Sequence, residues 1–260
     1  MKTLSNHLVY SNPQEYAAFP SVAIDSDGVL YCVFRLAPTR KSKTHIDTRS
    51  IAVLMRSEDE GESWEKVSEF RLGPYIGLQD PSLHILMNDT LILNCFGYAG
   101  RKLGNITKKA KGVKMLGPYI LESKDKGKNW GEIVYIPDVY RELQMAVSEP
   151  VISYENILLM SAYTDTGGGG HCCFLLKEFE GGWFVLSRIA HDPTGNRDYQ
   201  EPALLAYNNH LLCLMRVPTL EGDVIYQAHS WDGGQTWEPP RKTGIEGLPP
   251  NLLQLRDGRI

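Results

Sequence analysis

One turn sequence occurs three times in this chain: Ser57-Glu-Asp59-Glu-Gly61-Glu-Ser-Trp64, Ser123-Lys-Asp125-Lys-Gly127-Lys-Asn-Trp130 and Ser230-Trp-Asp232-Gly-Gly234-Gln-Thr-Trp237. Each reads Ser-x-Asp-x-Gly-x-x-Trp. Four fixed residues recurring three times at one spacing are hard to obtain by chance, so the repeat constrains the fold more than any bulk property. The Asp carboxylate accepts backbone N–H bonds across a tight turn, and Gly supplies the positive-φ position the turn needs. The Ser hydroxyl adds a local bond, and the Trp buries a large ring under the hairpin. These are structural roles, and the motif speaks for fold rather than activity.

A second repeat runs ahead of the first. Five segments place Pro before an apolar run: Phe19-Pro20, Asp80-Pro81, Glu149-Pro150, Glu201-Pro202 and Pro249-Pro250. Their spacing of about 50 to 70 residues suits one four-stranded propeller blade each. Pro is expected at the first residue of a strand, where no ladder donor is lost. Turns then precede second apolar strands: Asp27-Gly28 before Val29 to Phe34, Asn88-Asp89 before Thr90 to Phe96, and Asn208-Asn209 before His210 to Met215. These are hairpin signals, and helical periodicity is scarce.

The triple motif is the Asp box, and the whole chain resembles the sialidases and related BNR-repeat β-propellers. The resemblance implies an all-β, six-bladed propeller forming a single domain over residues 1–260. Blade three has no recognisable box, and Glu180-Gly181-Gly182-Trp183 is taken as its degenerate relative. The last residues, Leu255 to Ile260, read as a strand, a hairpin turn and the start of another strand. The expectation is therefore four blades and part of a fifth, with the C-terminus truncated, because a propeller closes its ring to remove exposed edges.

Composition fits a globular protein with a sizeable core: 260 residues, 42% of them hydrophobic. The 27 basic and 31 acidic residues nearly balance, which gives no nucleic-acid footprint. The five cysteines are odd in number and sit mostly in apolar runs, which favours buried free thiols over a disulfide framework. Met1 to Tyr16 holds no apolar leader core and no run is long enough to span a membrane, so a cytoplasmic protein is expected. The basic stretch Arg101 to Lys114 reads as a solvated insertion. The Gly167 to Gly170 run lacks the strand-helix context of a phosphate loop. Adjacent Cys172 and Cys173 point to opposite faces of a strand, which argues against a metal pair. No metal or other cofactor is expected.

Chemistry is expected where the inner strands converge. Asp80, Glu149 and Glu201 each stand before the strand-one Pro, so three blades present a carboxylate at an equivalent place. Arg35 and Arg216 each follow an apolar second strand, as clamps for anions or hydroxyls. The resemblance gives finer roles. Glu201 and Arg216, across one hairpin, match the sialidase pair in which Glu polarises a nucleophilic Tyr and Arg holds the substrate carboxylate. Asp47 sits on the loop ahead of the first box, where the family carries its acid/base Asp, with His45 and Arg49 as neighbours that tune it.

The chain also departs from the family. Ala18-Phe19-Pro20 stands where sialidases open with Arg-Ile-Pro, so one Arg of the carboxylate-gripping triad is replaced. The third Arg and the Tyr nucleophile are expected beyond Ile260. The resemblance thus implies an exo-acting glycoside hydrolase cleaving a terminal sugar, with a glycan or glycoside as partner and sialic acid in question. The alternatives are a propeller that binds carbohydrate without cleaving it, and a glycosidase or lyase of another substrate class using Asp80, Glu149 and Glu201 directly.

Overall fold

The structure, a computed structural model, describes residues 6–38, 46–100, 104–106, 112–136, 145–165, 171–255 and 257–260. The chain divides into two compact units, Met1–Tyr135 and Ile136–Ile260. The first runs β1 (Tyr16–Ile24), β2 (Leu30–Ala37), β3 (Ile46–Asp47), β4 (Ile51–Ser57), β5 (Glu65–Phe70), β6 (Ile76–Ile85), β7 (Leu91–Ala99), β8 (Asn105–Ile106), β9 (Lys114–Ser123) and β10 (Val134–Tyr135). Its two blades are the antiparallel sheets β1-β2-β4-β5 and β6-β7-β9-β10, and β3 pairs with β8. The second unit runs β11 (Ile152–Tyr154), β12 (Ile157–Asp165), β13 (His171–Phe179), β14 (Gly182–Ala190), β15 (Gln200–Tyr207), β16 (His210–Thr219), β17 (Gly222–Ser230) and β18 (Arg241–Glu246). Its blades are β11-β12-β13-β14 and β15-β16-β17-β18.

Central strands read as unbroken apolar runs because both of their faces are covered. β7, Leu-Ile-Leu-Asn-Cys-Phe-Gly-Tyr-Ala, is buried over all but its last residue, whereas the outermost strands β5 and β18 are largely exposed. Each unit builds one main core between its two blades. In the first, Tyr31, Val33 and Leu54 pack with Leu78, Leu83 and Leu93. In the second, Leu159, Cys173 and Leu175 pack with Leu204, Cys213 and Met215. All five cysteines are buried and free, as their setting in apolar runs predicts. Burial pushes the Cys32 and Cys172 thiols up to about 11, and those of Cys95, Cys173 and Cys213 higher still.

The three repeated turns share one hydrogen-bond pattern. Ser57 Oγ donates to Asp59 Oδ1 at 2.8 Å and accepts from Gly61 N at 2.9 Å, while Asp59 also takes the N–H and hydroxyl of Ser63. Asp125 takes the N–H and amide of Asn129, and Asp232 the N–H and hydroxyl of Thr236. These donors hold the carboxyls at about 2: the Ser63 hydroxyl leads for Asp59, the Asn129 N–H for Asp125 and the Thr236 hydroxyl for Asp232. A folded-state value below the unfolded carboxylate's means that the stabilisation is full above roughly pH 4 and is lost as pH falls towards 2.

The second and third turns also clasp the blade before them. Trp130 Nε1 donates to Ser68 Oγ on β5 at 3.1 Å, and that hydroxyl donates to Gly127 O at 2.6 Å. Trp237 Nε1 and Gly234 O share Ser187 on β14 in the same way, at 3.0 and 2.5 Å. The first turn closes on itself, Trp64 Nε1 donating to Gly61 O at 3.0 Å.

Three expectations change. The described residues hold the four blades expected of this chain, but no strand of a fifth lies among the described residues of Leu255 to Ile260. There Leu255 N bonds Arg259 O at 2.7 Å and Gly258 N bonds Leu255 O at 2.9 Å, which closes the expected turn alone. Glu180-Gly181 is a two-residue hairpin with φ of 51° and 78°, so it fills the third-to-fourth-strand connection of blade three with a different turn. Pro20, Pro81 and Pro202 lie inside their strands, not at the starts. Pro150 alone precedes its strand.

Gly127 and Gly234 combine φ of +82° and +88° with a neighbouring Leu 2.2 Å from where a Cβ would stand. Gly127→Ala and Gly234→Ala should each cost roughly 2–4 kcal/mol in urea unfolding, strain and overpacking together. Gly28→Ala, at a φ of +85° in open space, should cost only about 1 kcal/mol.

Candidate active site

Strand register separates each blade into two ends. Ser57 stands opposite Leu30, Ser123 opposite Leu91 and Ser230 opposite Leu211, so the repeated turns share one end. Ala18 opposite Arg35, Gln79 opposite Phe96 and Gln200 opposite Arg216 mark the other. Within its own blade, each of Arg35, Asp80, Glu201 and Arg216 lies at that second end.

There the first strand of three blades carries the same irregularity. The register breaks between Ala18 and Ser21, Gln79 and Ser82, and Gln200 and Ala203. In each break the residue before Pro has positive φ: Phe19 at 56°, Asp80 at 41° and Glu201 at 48°. Such a conformation costs about 1–3 kcal/mol for a non-glycine residue, and a following Pro narrows the choice further. A bulge re-aims the side chain it carries. Asp80 and Glu201 are thereby presented alike, with Phe19 in the equivalent place of blade one. Glu149 departs from this set: it lies outside any strand, and its Oε2 accepts from Asn251 Nδ2 at 2.6 Å.

In the first unit Arg35 and Asp47 are both 1% exposed. Arg35 Nε donates to Ser50 Oγ at 3.1 Å, and Ser50 Oγ donates to Asp47 O at 2.7 Å. Its guanidinium also lies 5.9 Å from the Tyr16 ring centre and 5.8 Å from that of Phe19. Burial pushes the Arg35 guanidinium down from its ordinary value, against Asp80 first, then Tyr16 and Asp47. Asp47 is fixed by the β3–β8 pair, and Gly77 lets its backbone in: a Cβ there would stand 2.0 Å from Asp47 O. Arg49 grips the carboxylate twice from its side chain, Nε to Oδ1 at 2.9 Å and Nη2 to Oδ2 at 2.7 Å, and once from its N–H at 2.9 Å. Burial alone raises the Asp47 carboxyl, yet these bonds outweigh it and leave the group below the usual carboxylate range. So held, the carboxyl favours its ionised form. His45, its other expected neighbour, lies outside the described residues, as do Gly167 to Gly170 and most of the basic stretch after Arg101.

In the second unit the expected Glu201–Arg216 pair forms. Arg216 Nη1 reaches Glu201 Oε2 at 3.0 Å, and its Nε reaches Asp223 Oδ1 at 2.7 Å. The three side chains are 20%, 24% and 23% exposed, so both carboxylates meet solvent. Burial lowers the Arg216 guanidinium, but Asp223 and then Glu201 reverse this and leave it raised. Asp223 went unseen in the sequence because it lies beyond a hairpin turn and carries no motif. A second group, also unseen, includes Gln200, the residue before Glu201. Asp198 Oδ1 accepts from the backbone N–H and from Nδ1 of His171, and its Oδ2 accepts from Gln200 Nε2 at 2.6 Å. Among the described residues no cluster of three or more His, Cys, Asp or Glu is arranged to hold a metal ion.

With this geometry in view, likeness to solved structures is informative. A protein of unknown function from Dyadobacter fermentans superposes with a TM-score of 0.85 at 26% identity, over 98% of this chain and 77% of that one. An α-L-arabinanase from Penicillium chrysogenum, complexed with arabinobiose, gives 0.68 at 15% identity, over 100% of this chain and 74% of that one. The NanB sialidase of Streptococcus pneumoniae gives 0.65 at 12% identity, over 95% of this chain and 55% of that one. The fold is a β-propeller. No protein-family model matches the chain, and no curated protein sequence does. At 12% and 15% identity, likeness to the arabinanase and the sialidase carries the fold alone.

The Asp47–Arg49 pair yields a clear expectation. Arg49→Met strands a buried carboxylate and should cost about 2–3 kcal/mol near neutral pH, less than a fully buried pair because Arg49 is 37% exposed. Partnerless, the Asp47 carboxyl would rise above its unfolded value, so the deficit in urea titrations should begin to shrink above about pH 4, as pH falls through that raised value, and shrink further below about 4 as the wild type loses its own ion pair.

Proposed function

We propose that this protein is a glycoside hydrolase releasing a terminal neutral sugar, with its chemistry centred on Glu201. The observation that carries the reading is the Glu201–Arg216–Asp223 cluster: a solvent-reaching carboxylate, aimed by a strained bulge and fixed by an arginine that a second carboxylate also holds. Glycoside cleavage builds positive charge at the anomeric carbon, and a preorganised carboxylate facing it is worth several kcal/mol, on the order of that for other electrostatic catalytic groups. The folds of the arabinanase and of the sialidase support the class of reaction. Glu201 acts as the catalytic carboxylate, and Arg216 keeps it oriented. Glu149, in the same unit as Glu201, is proposed as a ligand for sugar hydroxyls.

Charge argues for a neutral sugar over sialic acid. Arg216, the guanidinium bonded to Glu201, is already engaged by two carboxylates. A substrate carboxylate would have to displace those partners, which costs the site its own pairing. One observation favours a second reading, a propeller that binds sugar without cleaving it: Asp47, expected as the acid, is locked as an anion by Arg49.

Assay on aryl glycosides separates the two. The wild type should cleave a neutral glycoside, a furanoside among them, and leave a sialoside intact. Glu201→Gln should lower kcat by at least about 10²-fold with KM little changed. Binding without turnover by the wild type would establish the second reading, and undiminished turnover by Glu201→Gln would remove Glu201 from the chemistry.

A further inference from the structure

The hydrolase reading leaves a leaving oxygen that needs a proton, and both carboxylates of the cluster are committed to Arg216. We infer that His171 is the proton-transfer residue of this site, with Asp198 and Gln200 as its positioning residues; the inference rests on the hydrolase reading. Three observations carry it. Asp198 Oδ1 takes both the backbone N–H and Nδ1 of His171, so one oxygen holds the backbone and the ring of that residue together. With Nδ1 against a carboxylate oxygen, Nδ1 carries a hydrogen and Nε2 is the nitrogen left to exchange protons. Gln200 Nε2 then ties the group to the cluster: it donates to Asp198 Oδ2 at 2.6 Å and lies 3.3 Å from His171 Nδ1.

Gln200 is also where the two sets of charges meet. It is the residue before Glu201, and its Cα stands opposite that of Arg216. His171 begins β13 opposite Asp165, at the same end of its blade, and is partly exposed. A structural histidine would satisfy its ring in the core. This one holds an oriented, partly exposed imidazole on Asp198, which is bonded in turn by Gln200, the residue before Glu201; in such an arrangement one group orients a base and the base serves the reacting atoms.

The step balances as follows. A Glu201 oxygen bonds to the anomeric carbon as the carbon–oxygen bond to the leaving group breaks, and its electron pair goes to the departing oxygen. That oxygen takes the Nε2 proton of the imidazolium. Water then bonds to the anomeric carbon and gives a proton to Nε2. The ester bond to Glu201 breaks with its pair returning to the carboxylate, and both groups are restored.

The test compares leaving groups on whichever sugar the wild type cleaves. A dinitrophenyl glycoside departs without protonation, whereas a phenyl glycoside needs it. His171→Ala should lower kcat on the phenyl substrate by about 10²-fold or more and on the dinitrophenyl substrate by less than about tenfold, with added imidazole restoring the phenyl reaction. His171→Gln, which keeps an amide against Asp198, guards against misfolding and should show the same split. Asp198→Asn should reproduce it more weakly. Equal losses on both substrates, or none, would overturn the role of His171 while the hydrolase reading stands. A wild type that cleaves nothing overturns both.

Discussion

The serine that opens each repeated turn holds the architecture together. Its hydroxyl donates to the Asp carboxylate and accepts the Gly N–H, so one small side chain closes the turn from within. That closure sets the glycine close beneath a leucine and lets the following Trp reach a serine on the neighbouring blade. A local turn thus becomes a contact between sheets. The first turn has the same interior but bonds its Trp to its own Gly61 carbonyl. Clasping is therefore a property of context, and turn closure is the property of the motif.

The opposite end of the blades works by a different principle. There the proline repeat interrupts the strands, and each interruption holds the preceding residue in a conformation that side chains seldom adopt. Such strain is tolerated because the strand continues on both sides and fixes the geometry. What is gained is direction: Asp80 and Glu201 each leave the alternation of an ordinary strand at the same place in their own blade. Strain and titratable chemistry coincide at this end, while the repeated turns with their satisfied carboxylates occupy the other.

Much of this was legible in the sequence, unevenly and for physical reasons. The motif predicted all-β blades because its turn chemistry is local, and Asp27-Gly28, Asn88-Asp89 and Asn208-Asn209 marked real hairpins for the same reason. The Glu201–Arg216 pair was legible because it spans one hairpin. The bulges were not, since a strand-start Pro and a bulge Pro share one sequence signature and differ only in register. Glu149 looked equivalent to Asp80 and Glu201 until the backbone set it apart. Position alone reads Asp47 as an acid, and the grip of Arg49 on both of its oxygens has no sequence signature. Asp198, Gln200 and His171 come from two separate strands and the segment between them, so no window of sequence could unite them.

The buried thiols have a use that has nothing to do with chemistry at the site. Each compact unit carries its own: Cys32 and Cys95 in the first, Cys172, Cys173 and Cys213 in the second. Sunk in apolar surroundings and held in the protonated form, they react only when their blade opens. The chain thus contains two sets of native clocks. The order in which they take up an alkylating reagent reports whether the halves of this protein come apart as one cooperative body or as two.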